Sequence, residues 1–455
     1  MQSRAVGMAG GTWPCGSIPL AAPPPENTVK DAAEHSLRNG LKVITLESHI
    51  VPLVSFFIWY RVGARNEPAG MSGASHWVEH MLFKRTHKFA PGDIGRLVTG
   101  VGGTWNGFTT EDATAYFETV PAEHLELPLE IESDRMVNAV FDPDDVDRER
   151  TVIISEREGN EGSPMFLLSE AVEAEAFRTH PYGHGVIGSK LDLNRMSRDD
   201  LFRHYRTHYT PNNAVIVTVG DFPTTAMLDR IDMAFGDIAV GELCEPLDIR
   251  EPEQTEERRV VVTHPGPFPI LAVCHRTPQL NHQDFFALLT LDALLSGPKG
   301  GVFGGGGVVR TSRLYQRFVS SGLSASASSD LGLNIDPTLH WIVIVLKPGS
   351  ETEPIEDAVD DELVRLQNMP PDPDELKRAV RQARAKQAIG LEGVTSQAAW
   401  MGLLEIAESW RKGTDFTGGL EAVTPDDVQR VAQHYLRRDN RVTGWFIPTE
   451  GNGAV

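Results

Sequence analysis

Two stretches of this chain, Ser197–Phe222 and Thr424–Pro448, repeat one pattern 227 residues apart: an acidic helix start, a helix ending in His-Tyr, an asparagine, then an apolar strand. A repeat of that length constrains the fold more than any local propensity, because it predicts two similar units of about 200 residues instead of one large core. The first half reads as an Asn39-Gly40 turn, strands near Lys42 to Leu46 and Leu53 to Val62, a helix, a Gly-rich strand region and further helices. The second starts with strands near Arg259 to Thr263 and Ile270 to His275, followed by an apolar helix from Phe285 to Leu295. The fold class is therefore α+β, in two tandem units. A polar, proline-containing stretch, Gly241–Arg259, joins them.

Only the first half carries His76-Trp77-Val78-Glu79-His80. Residues i and i+4 share a helix face, so His76 and His80 can bind one metal ion while Glu79 overhangs the open coordination position. Gly70, Ser72 and Gly73 mark a turn before it, with Ser72 a candidate N-cap. Trp77 with Met81, and Val78 with Leu82, form apolar i, i+4 pairs that anchor the helix on another face.

A hydrolytic zinc site needs a third protein ligand. Asp142-Pro143 is a good N-cap and N1 pair for a helix running to about Gly159, and on it Glu149 and Glu156 lie two turns apart on nearly one face. Taken alone, two glutamates on an acidic helix are usually a solvated face.

The order H-x-x-E-H, then Glu156 76 residues after His80 inside Glu149–Glu156, resembles the pitrilysin or insulinase type of zinc peptidase, the inverzincins. Gly73–Thr86, Gly102–Pro121, His180–Gly188, His208–Phe222 and Thr311–Phe318 fall in the family's order, so the resemblance spans about Lys30 to Pro448. It implies two homologous α/β-sandwich domains, each an antiparallel sheet with helices, facing each other across a substrate chamber. The expected division is a disordered lead over 1–29, a zinc-binding catalytic domain over 30–240, a linker over 241–258 and a non-catalytic domain over 259–449. By resemblance His76, His80 and Glu156 ligate one Zn2+, Glu79 is the general base, and Glu149 is the accessory glutamate supporting the ligands. The implied activity is that of a zinc metalloendopeptidase acting on short or unfolded polypeptides.

Gly102–Thr109 is where the family places an edge strand beside the zinc, able to pair with an extended peptide. Asn106 is then a candidate substrate-binding residue, although Asn106-Gly107 also reads as a plain turn, and the family commonly has alanine where Gly107 stands. Members that act alone resemble one another in an arginine followed seven residues later by a tyrosine after the Ser-Arg-Leu segment. Here Ser324 stands seven after Arg317, with Val319 the other candidate for the arginine position. The expected partner is a similar zinc-less chain supplying that pair in a heterodimer, or failing that a second copy. The alternative is a non-catalytic scaffold subunit of the same fold, against which Glu79 argues, since a scaffold has no use for a general base.

Other features narrow the field. A net charge of −21 disfavours nucleic acid and anionic membrane surfaces. Cys15, Cys244 and Cys274 stand far apart, which excludes a cysteine zinc cluster and points to a reducing compartment, here the cytoplasm. No apolar run reaches membrane-spanning length, and the N-terminus lacks the basic and apolar regions of a signal peptide. The Gly-rich stretch over 300–307 lacks a Walker loop's lysine and reads as a mobile loop or an inert connection. His180 and His184 flank Pro181 and Gly183, so they belong to a structural loop.

Overall fold

The computed structural model describes residues 29–242, 247–300 and 308–449. In the first half, strands β1 (Ala33–Ser36), β2 (Lys42–Glu47), β3 (Leu53–Tyr60), β4 (Thr104–Thr109), β5 (Thr114–Pro121) and β6 (Ala214–Gly220) form one sheet in the order β1-β2-β6-β3-β5-β4. In the second, β7 (Arg258–Pro265), β8 (Ile270–Thr277), β9 (Ser326–Leu331), β10 (Thr338–Val345) and β11 (Arg441–Thr449) form another in the order β7-β11-β8-β10-β9. Without β1 the two orders correspond strand for strand, as the repeat predicts. The helices that matter below are α1 (Ala74–Met81), α2 (Pro143–Glu161), α3 (Pro164–Ala176), α4 (Arg198–His208), α5 (Phe285–Ser296), α6 (Val394–Ala407) and α7 (Pro425–Tyr435).

Each sheet is antiparallel except for one pair, β2 with β6 and β7 with β11. The exception is forced by topology. β6 inserts between β2 and β3, which run in opposite directions, so it must be parallel to one of them; it is antiparallel to β3. The repeated helices α4 and α7 both begin with capping boxes, Ser197 with Asp200 and Thr424 with Asp427. The hydroxyl residue is the cap, and the acidic residue read as the helix start sits at the third helical position and closes the box.

Strand β3 is buried on both faces, and its alternation shows why. Phe56, Ile58 and Tyr60 pack with Trp77 and Val78 of α1, whereas Phe57 and Trp59 pack with Ala398 and Met401 of α6, a helix from the other half. The second sheet repeats this arrangement. Leu271 and Val273 meet Leu288 and Leu291 of α5, while Ile270, Ala272 and Cys274 meet Leu168 and Val172 of α3, a helix from the first half. Each half thus lends one helix to cover the other's sheet. Two glycines allow the approach. A Cβ at Gly402 would stand 2.0 Å from Trp59 Nε1, and one at Gly444 would stand 2.5 Å from Val172 Cγ2.

A polar seam runs beside these contacts. Asp112 accepts hydrogen bonds from Tyr182 Oη (2.5 Å), Asn334 Nδ2 (3.2 Å) and Ile335 N (3.1 Å), and His180 Nε2 lies 3.1 Å from Asp336. The loop of His180 and His184 therefore braces the two halves. The stretch over 241–258 is no free tether in its described part. Gln254 is buried and donates to the Arg441 carbonyl, and Glu251 accepts from the Thr179 and His180 amides. The expected lead lies outside the described residues apart from Val29, which opens a short 3-10 helix and packs in the α6 contact. The Gly-rich stretch lies outside them from Gly301 to Gly307.

Candidate metal centre

Helix α1 begins after Gly73, whose φ of +93° and close approach to the Ile187 carbonyl suit no other residue. That geometry displaces the expected cap. Ser72 Oγ donates to Asp192 (2.6 Å) instead, and the orphan amides of Gly73 and Ser75 are taken by the Glu67 carboxylate at 2.8 and 2.7 Å. Trp77, Val78, Met81 and Leu82 are buried, as their spacing predicts. Helix α2 is capped by Asp142, which accepts from the Asp144 amide at 3.0 Å, with Pro143 in the first turn. Arg150 stacks over Trp77 at 4.7 Å and ties α2 to α1.

This packing brings His76, His80 and Glu156 together, with one ligand atom of each within 4.8 Å of the others. His76 Nε2 and His80 Nε2 stand 3.2 Å apart; Glu156 Oε1 lies 3.9 Å from the first, and Glu156 Oε2 lies 3.7 Å from the second. Donors at about 2.0–2.1 Å from a tetrahedral zinc ion stand roughly 3.3 Å apart, so the two imidazoles fit one ion and the carboxylate must swing inward to bring one oxygen to it. Half-exposed Glu156 has room for it.

The surroundings set the state of these groups. Burial, helped by the neighbouring His80, pushes the His76 pKa down to about 3, so its imidazole stays neutral with a lone pair to offer. Burial also resists protonation of His80, but the Glu149 hydrogen bond and nearby carboxylates outweigh it and hold its pKa above the ordinary value. Glu149 is buried, accepts from His80 Nδ1 at 2.9 Å and pairs with Lys84 Nζ at 2.6 Å. Its bond at Nδ1 leaves Nε2 of His80 as the atom that could ligate a metal ion. Burial raises the Glu79 pKa against a 2.7 Å hydrogen bond from Thr109 Oγ1. Lys84 and Thr109 were missed in the sequence; Lys84 stands at i+4 from His80, a spacing that could have drawn attention to it.

Glu79 and His76 face a cavity of about 390 Å³ that Phe108, Thr109, Phe166 and Val186 help to line. The main chain of β4 borders it, and β4 is the edge of its sheet. Asn106 lies within β4, opposite Phe117, so the turn reading of Asn106-Gly107 does not hold. Its exposed side chain shares a strand face with Phe108 and not with Thr109, and it is not among the cavity residues. In the second half, α5 takes the place of α1 with leucines in the core and no metal-ligand pair. Arg317 pairs with Asp361 at 3.0 Å, and Ser324 is buried.

Two lobes of one topology, one of which carries a His-His-Glu cluster beside a further carboxylate, define a duplicated chain with one group, among the described residues, that could hold a metal ion. The family model for insulinase, peptidase family M16, matches residues 42–190, and that for the peptidase M16 inactive domain matches residues 195–383. The chain belongs to peptidase family M16. It is 27% identical to an uncharacterized zinc protease of Streptomyces coelicolor over 91% of this chain and 89% of that one. It is 25% identical to the mitochondrial-processing peptidase subunit beta of Lentinula edodes, over 88% of this chain and 86% of that one. The crystal structure of a protease from Helicobacter pylori shares the fold, with a TM-score of 0.86 at 24% identity over 92% of this chain and 99% of that one. Among the described residues no helix is long and apolar enough to cross a membrane.

Proposed function

We propose that this chain is a zinc-dependent endopeptidase for short or unfolded polypeptides, with His76, His80 and Glu156 as the zinc ligands and Glu79 as the general base. The observation that carries the reading is the pair of Nε2 atoms 3.2 Å apart with Glu156 beside them and Glu79 facing the same cavity. When bound, zinc supplies Lewis acidity toward a peptide carbonyl and acidifies a water. Glu79 would accept a proton from a water in the cavity and return it to the departing amine. Glu149 keeps His80 oriented, and Lys84 keeps Glu149 in place. The free edge of β4 pairs with an extended substrate through main-chain hydrogen bonds, with Asn106 as a further donor on that strand. Such recognition reads backbone more than side chains, which favours unfolded chains.

The proposal includes a partner. Likeness to a processing-peptidase beta subunit, together with Ser324 where an arginine-tyrosine pair would end, supports a heterodimer with a zinc-less homologous chain. The test is cleavage of a quenched fluorescent peptide library by the zinc-loaded chain, alone and with a candidate companion, with Glu79→Gln as control. Activity that needs the companion and is lost in Glu79→Gln is expected. Equal activity without the companion overturns the heterodimer, and silence in every series despite bound zinc overturns the peptidase reading in favour of a scaffold.

A further inference from the structure

The Glu79 carboxylate has one side committed. Thr109, the last residue of β4, donates its hydroxyl to Glu79 Oε2 at 2.7 Å. A hydroxyl has one proton to give, and the bookkeeping of the neighbouring groups fixes where it goes. Thr114 Oγ1, 3.4 Å from Thr109 Oγ1, already donates to the Val62 carbonyl at 2.9 Å. It has nothing left for Thr109, so the contact between the two hydroxyls is not a relay. Tyr209 and Tyr116 lie nearby with their hydroxyls 3.5 Å apart. Thr109 is therefore a dedicated donor to Oε2 of the carboxylate, and both residues line the cavity.

Position on the strand makes this possible. Alternation along β4 puts Trp105, Gly107 and Thr109 on the face toward α1. At Gly107 a Cβ would stand 2.9 Å from the Phe83 ring and 3.0 Å from Tyr116, so glycine lets the strand lie close enough for the Thr109 hydroxyl to reach Glu79. The strand proposed to receive substrate thus also holds the base.

We propose that Thr109 is a positioning residue for Glu79, fixing the carboxylate so that one oxygen is turned to the cavity; the inference rests on the peptidase reading above. Thr109→Val keeps the shape and removes the donor, and Thr109→Ser keeps the donor. Misaligning a reacting group by about an ångström costs on the order of 100-fold in rate. We expect Thr109→Val to lower kcat by about 10- to 100-fold with KM, zinc content and melting midpoint near wild type, and Thr109→Ser to recover kcat to within a few fold. A crystal structure of zinc-loaded Thr109→Val should show the Glu79 carboxylate in more than one orientation. Unchanged kcat in Thr109→Val, or a Glu79 carboxylate still in its single wild-type orientation, overturns the inference. If the wild-type chain cleaves nothing with its companion present, the peptidase reading fails, and the crystallographic comparison still decides the role of Thr109.

Discussion

Removing the Glu149 side chain should weaken zinc binding without touching a proposed ligand, and the structure grades the loss. Glu149 makes two charge-assisted contacts, accepting from His80 Nδ1 at 2.9 Å and pairing with Lys84 at 2.6 Å. In Glu149→Gln the amide oxygen can still accept from His80, so the ring keeps its orientation and only the charge is lost. In Glu149→Ala the ring loses its only anchor at Nδ1 and the Lys84 ammonium loses its counter-charge. Loss of such supporting partners typically lowers metal affinity 10- to 100-fold, about 1.4–2.7 kcal/mol. We expect about 10-fold for Glu149→Gln and about 100-fold for Glu149→Ala, measured by competition with a fluorescent chelator at fixed pH. Wild-type affinity in Glu149→Ala, or a larger loss in Glu149→Gln than in Glu149→Ala, would refute the orienting role.

Three further outcomes follow from the packing and the charges. Gly402→Ala forces a methyl against the rigid Trp59 indole at 2.0 Å; overpacking of about 1–3 kcal/mol against a helix-propensity gain of about 1 leaves a net loss of up to about 2 kcal/mol in urea unfolding. Gly444→Ala meets the movable ends of Val172 and Leu168 and should cost less by the same assay. Burial first, then the charges of Glu111 and Glu170, raise the Glu173 pKa from 4.5 to about 8, so the folded state holds a proton that the unfolded chain gives up. Stability from this group is full below about pH 4.5 and drains as pH climbs through about 8, so a pH series of melting midpoints should fall less steeply in Glu173→Gln.

The duplication and the metal-ligand pattern were legible because each rests on local periodicity: i and i+4 for His76 and His80, a capped helix carrying Glu149 and Glu156, and one motif ending both halves. What the sequence concealed depends on contacts between segments far apart. The apolar face of α6 shows that it is covered, not that a sheet from the other half covers it, and Gly402 and Gly444 look like weak points until Trp59 and Val172 are placed beside them. Ser72 is a sound cap by composition, yet the left-handed turn at Gly73 hands that task to Glu67. Thr109 joins the site through the register of β4 against α1, which no spacing in the chain records.

The proposed centre is one zinc ion held by His76, His80 and Glu156 beside Glu79. Anomalous diffraction at the zinc edge from crystals of the metal-loaded chain tests it most directly. A single peak is expected within about 2.0–2.2 Å of His76 Nε2, His80 Nε2 and a Glu156 oxygen. A peak elsewhere, or none at these residues in crystals that contain zinc, would contradict it.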